Sequence, residues 1–153
     1  MSGAKIFDLA EKRKEKIEIK KRQFERVLFD ELIGTYTEIN DNGTIYPVRL
    51  VNVSPTGCLI EIPKSHNPDK KIKMGSEFDL RLYFTKKSYL TISVQIKHRK
   101  QEMSEQKSEV IHYGAEFNQE SASFPAVRSF VDFVYRFAEY SLVEKEENKA
   151  FFF

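Results

Sequence analysis

The sequence predicts an all-β core with flanking helices, arranged as a six-stranded antiparallel barrel. Three observations predict it. Runs of alternating apolar residues recur six times between Phe29 and Phe117. The connections between them are short, and Asn42-Gly43 is a strong hairpin signal. Stretches with helical spacing bracket the runs on both sides.

The elements follow in order. Ser2 to about Lys21 reads as a helix, with Ile6, Leu9, Ala10, Arg13 and Ile17 at helical spacing. Its apolar stripe is thin, so it depends on packing against something else. Residues 11–26 carry eight Lys or Arg against four Glu, and Lys20-Lys21-Arg22 is the densest basic run. Glu31–Ile39 and Thr44–Val53 read as strands around the turn Asn40–Gly43. Cys58–Ile62 is a short strand that Pro63 stops.

Glu77–Thr85 alternates clearly, with Phe78, Leu80, Leu82 and Phe84 on one side. Leu90, Ile92, Val94 and Ile96 alternate in the next strand, across the short loop Lys86-Lys87-Ser88. Ile111, Tyr113, Ala115 and Phe117 give the last strand. Lys64–Gly75 and Lys100–Ser108 are polar and read as surface loops. From about Ser121 to Glu146 the chain reads as a helix, with Ser123 as its cap and Pro125 in its first turn. Val127, Phe130, Val131, Val134, Phe137, Ala138 and Leu142 form one apolar face. That face is expected to cover the barrel; a helix-to-helix oligomer contact is the alternative. The predicted organisation is a helical extension over 1–20, a barrel domain with its helix over 21–146, and a tail over 147–153 ending in Phe151-Phe152-Phe153.

Composition bounds the function. The chain has 153 residues, 41% hydrophobic and 31% charged, which fits one folded domain. A net charge of +2 gives no whole-molecule attraction to a nucleic-acid polymer. One Cys excludes an intramolecular disulfide and fits a reducing compartment. No apolar run has the length of a membrane span, and the N-terminus turns charged within a dozen residues, so a cytoplasmic protein without membrane contact is expected. Cys58 falls in a strand without a His and Asp cluster, and His66, His98 and His112 are scattered. No nucleophile, acid–base pair, metal set or phosphate-cradling glycine loop is seen, so a non-enzyme without metal or cofactor is expected.

The informative residues open the β region. Arg22-Gln23-Phe24-Glu25-Arg26 sets two guanidiniums four residues apart. Asn52-Val53-Ser54-Pro55-Thr56-Gly57 begins 26 residues after the second of them. That turn joins two predicted strands and offers an amide, a hydroxyl and a glycine backbone. Together these residues resemble the RxxxR and [D/N]xSxxG motifs of the PilZ domain, a bacterial receptor module for cyclic di-GMP. Tyr113-Gly114-Ala115-Glu116-Phe117 resembles the family's last strand, and the likeness covers roughly residues 20–140.

The resemblance implies that Arg22, Arg26, Asn52, Ser54 and Gly57 bind cyclic di-GMP. The chemistry is suitable, because an arginine fork matches the O6 and N7 acceptors of guanine or clamps a phosphate. Asn52 stands where the family has Asp or Asn; relative to Asp it has one acceptor oxygen rather than two, a loss on the order of 1 kcal/mol. Lys21, directly before the first Arg, is associated by resemblance with binding a stacked pair of ligands. The two arginines are expected on a mobile linker that closes over the ligand. The family's outputs are motility, surface polysaccharide and virulence control through partner proteins. Here the partner is unknown, and a homo-oligomer through the terminal helices is a second route. Two other functions fit less of the sequence: a small barrel that binds single-stranded nucleic acid, and a ligand-free PilZ adaptor, a kind that generally lacks the two arginines.

Overall fold

A computed structural model describes residues 2–39, 44–66 and 71–142. Helix α1 (Ser2–Val27) runs into a π-type turn (Leu28–Leu32). Seven strands follow: β1 (Gly34–Ile39), β2 (Thr44–Pro47), β3 (Arg49–Val53), β4 (Gly57–Pro63), β5 (Glu77–Tyr83), β6 (Tyr89–Met103) and β7 (Glu109–Phe117). Helix α2 (Phe124–Tyr140) comes last. No described helix is long and apolar enough to cross a membrane.

The strands form one antiparallel sheet in the order β2-β1-β5-β6-β7-β4-β3. β2 and β3 are two halves of the predicted strand 44–53, interrupted at Val48. One half pairs with β1 and the other with β4. The two ends of the sheet are therefore joined through a single residue, and a six-stranded barrel nearly closes. Pro47 has no N–H, which weakens the ladder where the strand changes partner. Val48 N–H then donates to Thr35 O at 3.0 Å, holding the seam.

Alternation decides what lies inside. Leu80, Ile92, Val94, Ile96, Ile111 and Tyr113 are each at most 1% exposed and fill the barrel. Val127, Val131, Val134 and Ala138 of α2 are equally buried, and the first two join the barrel's core cluster. Phe130 packs at the mouth, with ring centroids 5.6 Å from Phe84 and 6.3 Å from Phe29. Val127, Phe130 and Val131 thus cover the barrel, as the pattern predicts, whereas Phe137 packs on α1 and Leu142, past the helix end at Tyr140, is 95% exposed. α1 lies on α2: Phe24 stacks on Phe137 at 4.1 Å, Arg13 reaches Glu139 at 3.7 Å, and Lys20 Nζ donates to Ser141 O at 2.9 Å.

Several boundaries differ from expectation. The first helix passes Lys21 and ends at Val27, so it is continuous across the expected division at residue 20. β1 begins at Gly34 rather than Glu31, because 28–32 complete the helical turn. β6 runs on to Met103, where a surface loop is expected, since Gln101, Glu102 and Met103 pair with Ile111, Val110 and Glu109. Polar residues form strand there because the hairpin partner supplies the backbone bonds. In the other expected loop, Ile72 is 3% exposed and belongs to the core. Ser123 makes no capping bond; its hydroxyl donates to the Thr91 carbonyl instead. The turn 40–43, the segment 143–146 and the triple-Phe tail lie outside the described residues.

Candidate functional site

The arginine pair stands on α1, not on a linker. Residues between and before the arginines explain why the helix persists there. Lys21 is 4% exposed and Glu25 is 1% exposed. Lys21 Nζ donates to Glu25 Oε1 at 2.7 Å and to Val53 O at 2.9 Å. Val53 N–H donates to Glu25 Oε2 at 2.8 Å. The Lys21 ammonium also lies 4.7 Å from the centroid of the Tyr135 ring of α2. These contacts fasten one helical turn to the end of β3, and the Phe24–Phe137 stack fastens it to α2. Arg22 and Arg26, one turn apart, are left exposed on a shared face.

Lys21 is thus not an open cation beside the arginines, as its place in a basic run suggests. Its partner shows the tension of burial. Loss of water pushes the Glu25 carboxyl above its usual range, against the opposing effects of Lys21 and the Val53 N–H.

Strand β3 supplies the next residue. Its register with β4 slips between Leu50 and Asn52, a bulge. Leu50 and Val53 stay buried while Val51 and Asn52 both turn outward. The bulge brings Asn52 to a cleft of about 650 Å³ whose rim includes Arg22, Arg26 and Arg49. There Arg49 pairs with Asp30 at 2.8 Å and with Glu61 at 3.4 Å, and Glu61 Oε1 accepts from His112 Nε2 at 2.9 Å. Arg26 Nη2 lies 3.3 Å from Glu105 Oε1, on the turn between β6 and β7.

The turn after β3 is closed by its own groups. Ser54 N–H donates to Gly57 O at 2.8 Å, and Gly57 N–H donates to Ser54 Oγ at 3.2 Å. Gly57 is required by packing, not by backbone angle. A Cβ there would lie inside contact distance of the Ala115 carbonyl oxygen and 3.2 Å from Glu116 Cα. Its φ is not in the left-handed region. Ser54, Gly57 and Asn52 border a second cleft of about 340 Å³. A bulge between Ile96 and His98 turns Lys97 and His98 outward on its opposite side. Asn52 is shared by both clefts, so all six expected residues are near one another: Arg22, Arg26 and Asn52 are exposed, Ser54 is half-buried, and Gly57 and Lys21 are buried.

Glu25, Arg49, Glu105 and Lys97 are missed by sequence reading. Glu25 could have been suspected from its place inside the arginine pair; the others carry no local signal. Cys58 behaves as expected: it is buried, and burial pushes its thiol up to about 12. Among the described residues no group of three or more His, Cys, Asp or Glu is placed to hold a metal ion.

These features define a small antiparallel barrel with an arginine-rimmed polar cleft on its outer wall. The sequence profile of the PilZ domain matches residues 20–135, and the chain belongs to the PilZ domain family. No curated protein matches it. Among solved structures it is similar to MrkH of K. pneumonia in its apo state, with a TM-score of 0.58 and 14% identity over 71% of this chain and 49% of that one. It is similar to PlzA of Borreliella burgdorferi, solved in complex with c-di-GMP, with a TM-score of 0.51 and 11% identity over 90% and 60%. The PilZ domain of YcgR from Escherichia coli, solved with c-di-GMP, gives 0.50 and 10% over 69% and 84%. The chain spans about half the length of the MrkH structures it matches. At these identities the likeness carries the fold.

Proposed function

We propose that this protein is a cyclic di-GMP receptor whose ligand is held by Arg22, Arg26 and Asn52, with Ser54 and Gly57 shaping the turn beside them. The observation that carries the reading is the shared cleft: a helix and a bulged strand, distant in sequence, bring both guanidiniums and the amide to one opening. A ligand with two phosphates and two guanines matches this set. Arginine forks serve either group, and the amide can pair with a guanine edge. Family membership and the c-di-GMP complexes of YcgR and PlzA support the same ligand.

In this proposal Lys21 positions the arginines instead of touching the ligand, because it is committed to Glu25 and Val53. A stacked ligand pair would then be held by the arginines without Lys21. The signal leaves through α1, since the helix that carries the arginines rests on α2. A partner protein or a second copy would read that shift. Isothermal titration with cyclic di-GMP tests the reading. Saturable binding by the wild type, lost in Arg22→Ala and Arg26→Ala, is expected, and the ratio reads one ligand or two. Absence of binding by the folded wild type would overturn it. Hydrogen exchange over residues 18–28 tests the shift; exchange unchanged by saturating ligand would refute it.

A further inference from the structure

The contact between Arg26 and Glu105 is not used by that reading. Glu105 sits at the tip of the β6–β7 hairpin, outside both motifs. The tip is firmly built. Ser104 N–H donates to Ser108 O at 2.8 Å, Lys107 N–H to Ser104 O at 2.9 Å, and the two serine hydroxyls meet at 2.7 Å. Lys107 adopts φ 60, a left-handed angle a lysine rarely takes without such closure. The polar extension of β6 carries this tip beyond the barrel core to the cleft, where Met103 and Gln106 also line the wall.

Two of the three arginines that line the cleft face carboxylates. Arg49 is committed to Asp30 and Glu61, and Arg26 to Glu105. A ligand phosphate that approaches the Nη2 side of Arg26 therefore competes with Glu105. A carboxylate offers a guanidinium the same single charge as a phosphodiester and, like its two non-bridging oxygens, a pair of acceptors for the arginine fork.

We infer that Glu105 is an internal competitor for the ligand at Arg26, and that it sets the affinity and salt response of the cyclic di-GMP site; this rests on the receptor reading above. The two side chains are 62% and 70% exposed, so the pair is weak and easily exchanged. Its removal is worth about two- to fivefold in affinity.

The test compares Glu105→Gln with Glu109→Gln in titrations with cyclic di-GMP at low and high salt. Glu109 stands on the same hairpin and pairs with Lys64 at 3.4 Å, so its variant removes the same charge elsewhere. E105Q is expected to bind about two- to fivefold more tightly than wild type at low salt, with the gain shrinking as salt screens the pair. E109Q is expected to show no such gain. In the ligand-free protein the Arg26 Nε–Hε resonance should move in E105Q and stay in E109Q. If the wild type binds and E105Q is no tighter, or E109Q is equally tight, the competitor is overturned and the receptor stands. If neither wild type nor E105Q binds, the receptor reading falls and takes the competitor with it.

Discussion

Replacing Lys21 with methionine tests the buried fastening beneath the arginines. The change keeps the length of the side chain and removes its ammonium. Glu25, 1% exposed, then loses its 2.7 Å partner and retains the Val53 N–H. Removing one side of a buried ion pair costs about 3–5 kcal/mol, because the other charge is left uncompensated. That is a large part of the roughly 5–15 kcal/mol that holds an ordinary domain together. Glu25 has one escape, since burial already favours its protonated form. The loss in Lys21→Met should therefore be greatest at alkaline pH and shrink on acidification. Lys21→Met/Glu25→Leu, which removes both charges, should recover most of the stability, because apolar replacement of a buried pair is often close to neutral. Urea unfolding followed by circular dichroism, with midpoints compared at equal slope, reads the three proteins. A single variant that loses less than about 1 kcal/mol, or a double variant no more stable than the single, would refute the claim that this pair is desolvated and fastens α1 to β3.

Two further outcomes follow from other parts of the structure. Gly57→Ala should destabilise the barrel by about 1–3 kcal/mol or more, because the new methyl meets the β7 backbone at Ala115 and Glu116, which cannot move aside; an unchanged urea midpoint would show that the two strands separate freely there. Glu25 also gives a pH signature. Its folded-state carboxyl lies above the ordinary 4.5, so the folded protein holds that proton more tightly than the unfolded chain does. Its contribution is most favourable below 4.5 and declines as pH rises from there through the raised folded value. Wild-type stability measured against Glu25→Gln should fall across that window, and a flat or rising difference would contradict the burial argument.

Much of the barrel is legible in short stretches of sequence. Phe78, Leu80 and Leu82 alternate, and a strand must put alternate residues on one face, so their burial follows from local geometry alone. The same reasoning finds the buried side of α2 in Val127, Val131, Val134 and Ala138. The arginine pair and the Asn52–Gly57 turn are legible because each is compact in sequence, and their order is part of the resemblance. The need for glycine at 57 can also be anticipated, although its cause is contact with β7 rather than backbone angle.

The rest was decided by partners far away in the chain. Nothing within Lys20–Arg26 marks Lys21 and Glu25 as buried, because a lysine and a glutamate four apart occur on any solvated helix. They are buried because Val53 and Tyr135 lie over them, and that contact carries the helix through both arginines where a loop was expected. The bulge that turns Asn52 to the cleft depends on the register of β3 with β4, and the reach of Glu105 depends on the pairing of β6 with β7. The sequence by itself therefore determined most of the strands, the covering helix and the residues of the two motifs, since periodicity and turn chemistry act over a few neighbours. The tertiary structure alone decided which charges are exposed and which carboxylate faces which arginine, since desolvation and ion pairing depend on what the fold lays beside a residue.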